Sequence, residues 1–291
     1  MRELIVQGQA MPRLDQFLQS QFPVLSAGRL HQYWRENKVK VDGKKAPLST
    51  RLAAGSTVRL YLPDEALTAP AVIVYEDEEL LAAHKPAGLL TLDETGAAAD
   101  TLETRVRRIC ADARPCHRLD AGTSGLVLLA KTAQAEAFFT ALIKERGLKK
   151  EYLCVTAGQP RPPRGELRDY LYKDARRGLV RVSPAPGPGA QEIVTRYETL
   201  ALAAPYALVR VELVTGRTHQ IRAHLASIGC PILGDGKYGS GAANRAAHMK
   251  YQALCAWRLT FPALPGHAVS GKTIALAEPW YAEKVRQGQP F

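Results

Sequence analysis

From residue 71 onward, segments that read as strands outnumber those that read as helices and do not alternate with them. That pattern disfavours a doubly wound parallel sheet, which needs a helix between successive strands. VIVYEDEELLAAHKP at 72–86 reads as strand, acidic turn and strand, and LVLLA at 126–130 as a short buried strand. Further strands are expected at 151–156, 193–200, 206–214, 252–261 and 273–277. Two helical patterns interrupt them. Residues 133–146 set Phe138, Ala141 and Leu142 on one side before Gly147, and residues 219–228 carry Ile221, Leu225 and Ile228 at helical spacing before Gly229. The expected class is α+β, with a mixed, mostly antiparallel sheet and helices packed on it.

A front part of different texture precedes the break PDEALTAP at 63–70, and the expected division is 1–68 and 69–291. Pro12 suits the first turn of a helix carrying Leu14, Phe17 and Leu18 and ending before Pro23. Ser26 suits the N-cap of a second helix with Leu30, Tyr33 and Trp34 on one face, Gln32 and Arg35 on the other and Arg29 at the flank. Val39 and Val41 then alternate with Lys38 and Lys40 up to an Asp42-Gly43 turn, and Val58, Leu60 and Leu62 close the unit. These cations read either as a solvated face or as phosphate contacts, which need several cations on one small rigid surface.

Lys and Arg total 39 against 28 Asp and Glu, a net charge of +11 that favours a polyanionic partner, nucleic acid first. Apolar runs fall far short of the ~20 residues a membrane helix needs, and no secretory signal is expected at Met1-Arg2-Glu3-Leu4. Five cysteines, scattered and without a C-x-x-C pair, argue against a disulfide framework or structural zinc and fit a reducing cytoplasm.

Three segments are too polar for core and too particular for loop filler. HRLDAGTSG at 117–125 reads as a polar turn in which Asp120, Thr123 and Ser124 bond nearby amides, or as a site where small residues let a ligand approach Asp120 and Arg118. In TGRTHQIRAH at 215–224, Ile221 and Leu225 face the core while His219 and Arg222 point off that face. An arginine at a helix start sits at the wrong end of the helix dipole, so a counter-charge or a phosphate is expected beside it. No carboxylate or cysteine cluster joins His219 and His224, so no metal is expected. KKEY at 149–152 opens a strand, where Tyr152 is either packing or part of a site.

Together these segments resemble the RluA-type RNA pseudouridine synthases. The signature stands as HRLDAGTSGLVLLAKT at 117–132 and TGRTHQIRAH at 215–224, with GCPILGDGKYG at 229–239, YEDEELLAAHKPAGLLT at 75–91 and QALCAWRLTF at 252–261 as flanks. The front part resembles an alpha-L RNA-binding motif through RLDQFL, SAGRLHQ and VKVDGK. Two departures are visible: His84 where the family usually has Asn, and Cys255 where His is common.

The resemblance implies isomerisation of uridine to pseudouridine in a folded RNA without a cofactor. Asp120 would be the catalytic carboxylate, paired with Arg222; Tyr152 would stack on the uracil, its hydroxyl assisting proton transfer. Arg118 would replace the extruded nucleotide and Ile221 would wall the pocket. Thr123, Lys149, Lys150 and Arg217, with Arg29, Arg35 and Lys40 in front, would bind the substrate. Large-subunit ribosomal RNA is the expected target, with transfer RNA and a non-catalytic ribosome-assembly role as alternatives. A monomer is expected. The loops at 93–100 and 183–190 are expected to shape target choice. A glycoside hydrolase using two of Asp93, Glu94, Asp100 and Glu103 fits the charge less well.

Overall fold

A computed structural model describes residues 1–8, 11–22, 24–95, 100–174, 178–289 and 291, so part of the loop at 93–100 lies outside the described residues. The chain divides into two units, Met1–Pro70 and Ala71–Phe291.

In the first unit, β1 (Arg2–Ile5), α1 (Leu14–Gln21), α2 (Ala27–Arg35), β2 (Val39–Val41), β3 (Thr57–Leu60) and α3 (Asp64–Leu67) follow in order. The strands form an antiparallel sheet β1-β3-β2. Leu14, Leu18, Leu30, Val39, Val58 and Leu60 meet in its core. Ser26 caps α2 by accepting the Arg29 amide at 3.3 Å. Asp42 and Gly43 both take positive φ, as a tight mirror-image hairpin turn requires. The strand β1 has no counterpart in the sequence reading. The break at 63–70 holds a short helix whose Leu67 joins the core, so it is not a plain linker.

The second unit runs β4 (Val72–Glu76), β5 (Leu80–Lys85), α4 (Leu102–Arg107), β6 (Arg114–Pro115), β7 (Ser124–Ala130), α5 (Ala133–Lys144), β8 (Lys149–Ala157), β9 (Arg164–Asp174), β10 (Leu179–Ser183), β11 (Gln191–Ala203) and β12 (Tyr206–Leu213). It continues with α6 (Gln220–Ser227), α7 (Gly241–Ala246), β13 (Leu254–Thr260), β14 (Thr273–Ala275) and α8 (Trp280–Arg286). One sheet takes the order β10-β9-β11-β12-β8-β13-β7-β5-β4, with β14 added on β13 and β6 on β7. Its pairings are antiparallel except β13 with β7.

β7 explains why the run GLVLLA is apolar without alternation: both of its faces are covered. Val127 and Leu129 join a cluster with Leu102 and Val106 of α4 and Ile221 and Leu225 of α6. Leu126, Leu128 and Ala130 join a second cluster with Ala135 and Phe139 of α5. The buried side of α5 is therefore Ala135 and Phe139, with Leu142 at its margin; Phe138 is 37% exposed and stacks on His267. The expected face through Phe138 and Ala141 is thus rotated by about one position, because the spacing of two adjacent phenylalanines does not say which one enters the core.

Gly125 lets β7 and β13 come together. Its φ is +123°, and a Cβ there would lie 2.4 Å from both the backbone nitrogen and the backbone oxygen of Ala256. The parallel pairing that follows fixes the end of the 117–125 segment against the sheet. Gly125→Ala is expected to cost more than about 3 kcal/mol, read as a lower unfolding midpoint in denaturant.

Candidate active site

The segment containing Asp120 is held by backbone bonds before any side chain is considered. The Thr123 amide donates to the Asp120 carbonyl at 3.0 Å, and the Gly88 amide to the Ala121 carbonyl at 2.7 Å. Thr91 Oγ1 accepts the Leu119 amide at 3.0 Å and donates to the Leu119 carbonyl at 3.1 Å. Lys85, fully buried, donates to the carbonyls of Pro86, Leu89 and Ala121 at 3.2, 2.6 and 3.1 Å. Burial draws its pKa down to about 8, and Asp120 works the other way. His117 accepts the Leu128 amide at Nε2, 3.1 Å away, and desolvation with help from Lys150 lowers its pKa to about 3, so it stays neutral. In the sequence KPAGLLT reads only as a matching flank, and the clamp it forms is not legible there.

Arg222 enters from α6, 102 residues along the chain. Its Nη1 donates to Asp120 Oδ2 at 2.7 Å, while Nε and Nη2 grip Asp235 Oδ2 and Oδ1 at 2.7 and 2.9 Å. Burial works against the Arg222 charge, but the bond and attraction of Asp235, then of Asp120, outweigh it and raise its pKa. Asp235 has no exposed surface, which opposes its ionisation; Arg222 and the amides of Lys237 and Tyr238 reverse that and hold its pKa below the usual value. The counter-charge expected at this helix start is thus a pair of carboxylates. Asp235 was missed, because one Asp in GDGKYG carries no spacing signal toward a residue in another element.

Asp120, Tyr152, Ile221 and Arg222 line one cleft of about 760 Å³, together with Arg118, Thr123, Lys150, Arg217 and His219. Asp120 keeps 27% of its side chain exposed there, against 7% for Arg222. Arg118 is exposed and meets Glu94 at 3.0 Å, a surface pair of small worth. The Thr123 hydroxyl is engaged by Gln252 Nε2 at 3.0 Å, so it braces the turn.

Strand alternation splits the two lysines. Lys150 and Tyr152 face the cleft, whereas Lys149 lies on the other face with Glu151 and Glu212, at 3.4 and 3.6 Å. Burial raises the Tyr152 pKa far above its ordinary value, and Asp120 adds to it, so the hydroxyl stays protonated and able to donate a hydrogen bond. Arg29 and Arg35 are exposed on the first unit, and Lys40 sits over the Tyr61 ring at 5.3 Å. Among the described residues no group of three His, Cys, Asp or Glu is arranged to hold a metal ion, and no helix is long and apolar enough to cross a membrane.

A family model described as RNA pseudouridylate synthase matches residues 79–227. The ribosomal large subunit pseudouridine synthase C of Rickettsia bellii is 31% identical over 250 residues, covering 78% of this chain and 83% of the relative. The protein of that name from Vibrio vulnificus is 30% identical over 247 residues, covering 78% and 76%. Among solved structures, human RNA pseudouridylate synthase domain containing 4 shares the fold at a TM-score of 0.62 and 23% identity, over 75% of this chain and 92% of that one. Its own motifs and these likenesses agree: the chain belongs to the RNA pseudouridylate synthase family, in its RluA-type group.

Proposed function

We propose that the protein converts uridine to pseudouridine in large-subunit ribosomal RNA, with Asp120 as the catalytic carboxylate. The observation that carries this reading is a solvent-reachable carboxylate on a cleft wall, tied at one oxygen to a guanidinium that is itself buried. The target follows the names of the Rickettsia and Vibrio relatives, which match 78% of the chain.

The reaction breaks the bond between ribose C1′ and uracil N1, turns the base and joins C1′ to C5. A proton leaves C5 and N1 gains one, so composition is unchanged. Arg222 takes Asp120 Oδ2, and Oδ1 has no protein donor among the described residues, which leaves that oxygen for the sugar. The freed uracil lies between the flat Tyr152 ring and the apolar Ile221 side chain, which hold it while leaving it room to turn. Extruding the nucleotide costs a few kcal/mol of stacking. Arg118, only weakly held by Glu94, is free to stack in its place. Lys150 and Arg217 add positive charge at the cleft, and Arg29, Arg35 and Lys40 offer phosphate contacts on the first unit, which we read as an alpha-L-type module. Asp120, Tyr152, Arg222 and Asp235 all come from one chain, as a monomer requires, and the free cysteines fit a cytoplasmic location.

Asp120→Asn is expected to bind ribosomal RNA as the wild type does and to form no pseudouridine, measured by mapping pseudouridine in ribosomal and transfer RNA treated with each protein. Product from the variant would remove Asp120 from the chemistry. Modification of transfer RNA alone would move the target. For Asp235→Asn a loss of about 3–5 kcal/mol is expected near neutral pH, because the variant leaves a buried guanidinium half-paired. The Asp235 pKa is lowered on folding, so its contribution is full above the unfolded value of 3.8 and fades as pH falls through the folded value. The stability gap between wild type and variant should therefore narrow below about pH 4, as read by denaturant titration across that range.

A further inference from the structure

His219 precedes α6 with φ +55°, a left-handed conformation uncommon outside glycine and often found at functional sites. Its side chain is 11% exposed, and Nδ1 lies 2.9 Å from the Tyr238 hydroxyl. That hydroxyl accepts the Val180 amide at 2.9 Å, which leaves its own proton to donate, with Nδ1 as the acceptor beside it. Burial lowers the imidazole pKa; Asp120 and Asp235 oppose this, Arg222 and Lys237 reinforce it, and the ring is neutral at pH 7. A neutral ring that accepts at Nδ1 carries its hydrogen on Nε2. The opposite tautomer would set a lone pair toward the Asp120 carboxylate.

Nε2 stands 3.8 Å from Asp120 Oδ2, too far for a hydrogen bond, and has no other acceptor among the described residues. A fixed N–H and an acceptor-only carboxylate thus face the same cleft with a gap between them. A hydroxyl seated beside the line between them completes both, accepting from one and donating to the other. In a nucleotide internal to an RNA chain, the 3′ and 5′ oxygens are esterified to phosphate. The 2′-hydroxyl is then its one sugar hydroxyl, on the carbon next to C1′.

We propose that His219 is a specificity residue that reads the 2′-hydroxyl of the target uridine, donating to it from Nε2 while the hydroxyl donates to Asp120. The inference rests on Asp120 being the carboxylate that acts on the sugar. It makes discrimination of RNA from DNA a property of the catalytic pocket itself, separate from any recognition of the wider RNA shape.

The test uses two synthetic RNA hairpins carrying the uridine that the wild type modifies, identical except for 2′-deoxyuridine at that position. Single-turnover rates are measured for wild type, His219→Asn and His219→Gln. Asn tolerates the left-handed backbone but does not reach the gap, whereas the Gln amide nitrogen falls near the place of Nε2. Removing the 2′-hydroxyl should slow the wild type by about tenfold more than it slows His219→Asn, with much of the difference restored in His219→Gln. Each ratio compares two substrates on one preparation, which cancels the active fraction, and dividing the wild-type ratio by the variant's cancels the intrinsic effect of the deoxy sugar. If the Asn variant does not fold, Tyr238→Phe, which frees the ring to turn, carries the same comparison. Equal penalties in wild type and variant overturn the proposal, as does a wild type indifferent to the 2′-hydroxyl. An active Asp120→Asn would instead overturn the reading on which it rests, whatever the ratios at His219.

Discussion

One guanidinium shared by two carboxylates organises the catalytic unit. Arg222 gives two of its donors to Asp235, a carboxylate with no exposed surface, and one to Asp120, which stands at the cleft. The division follows from cost. Burying an arginine is unfavourable unless its charge is matched and its donors are bonded, and Asp235 supplies both. The remaining donor is then aimed with little freedom, so the position of Asp120 inherits the rigidity of α6 and of the Asp235 turn. The guanidinium also lies over the Tyr238 ring at 5.3 Å, a further contact against rotation. A lysine at 222 would keep the charge but lose the rigid fork that grips both oxygens of Asp235 while aiming a third donor at Asp120, so the geometry matters here as well as the charge.

The sheet does the rest of the positioning. Asp120 lies on the segment that leads into β7, Tyr152 on β8 and Arg222 on α6, and residues of all three share one core cluster through Leu119, Tyr152 and Ile221. β8 shows how one strand serves two environments. Lys150 and Tyr152 turn into the cleft, while Lys149 and Glu151 turn to the opposite face. There Arg196 joins Glu166 and Glu212 at 2.8 and 3.0 Å, and Arg168 joins Glu192 at 2.8 Å. Those pairs are largely exposed, so they offer solubility and modest support rather than a second site.

Much of this was legible in the sequence because it depends on local pattern. The unbroken apolar run of β7, the cap at Ser26, the Asp42-Gly43 turn and the helix carrying Arg222 all follow from spacing and turn chemistry. What escaped was either mixed in polarity or distant in sequence. β9, RGELRDYLYKD, alternates charged residues with Leu167, Tyr170 and Leu171 so sparsely that it passes for a polar loop. The clamp of Lys85 on the Ala121 carbonyl spans 36 residues, and the Arg222 pairing with Asp235 spans 13 with a helix end between. No periodicity connects such partners. The expectation that Arg222 needs a counter-charge comes from the helix dipole and its pairing with Asp120 from the resemblance; that Asp235 answers it as well comes only from the fold.

The central claim is that the Asp120 carboxylate meets the sugar of an unstacked nucleotide while Arg222 keeps hold of its other oxygen. Crystallography of the protein with an RNA hairpin carrying the modified uridine tests it directly. The expected result places Asp120 Oδ1 within about 3.5 Å of the ribose C1′, with the base against Tyr152 and Arg222 still on Oδ2. A target base left stacked in its helix, or a ribose bound away from Asp120 with the carboxylate turned from it, would contradict the claim.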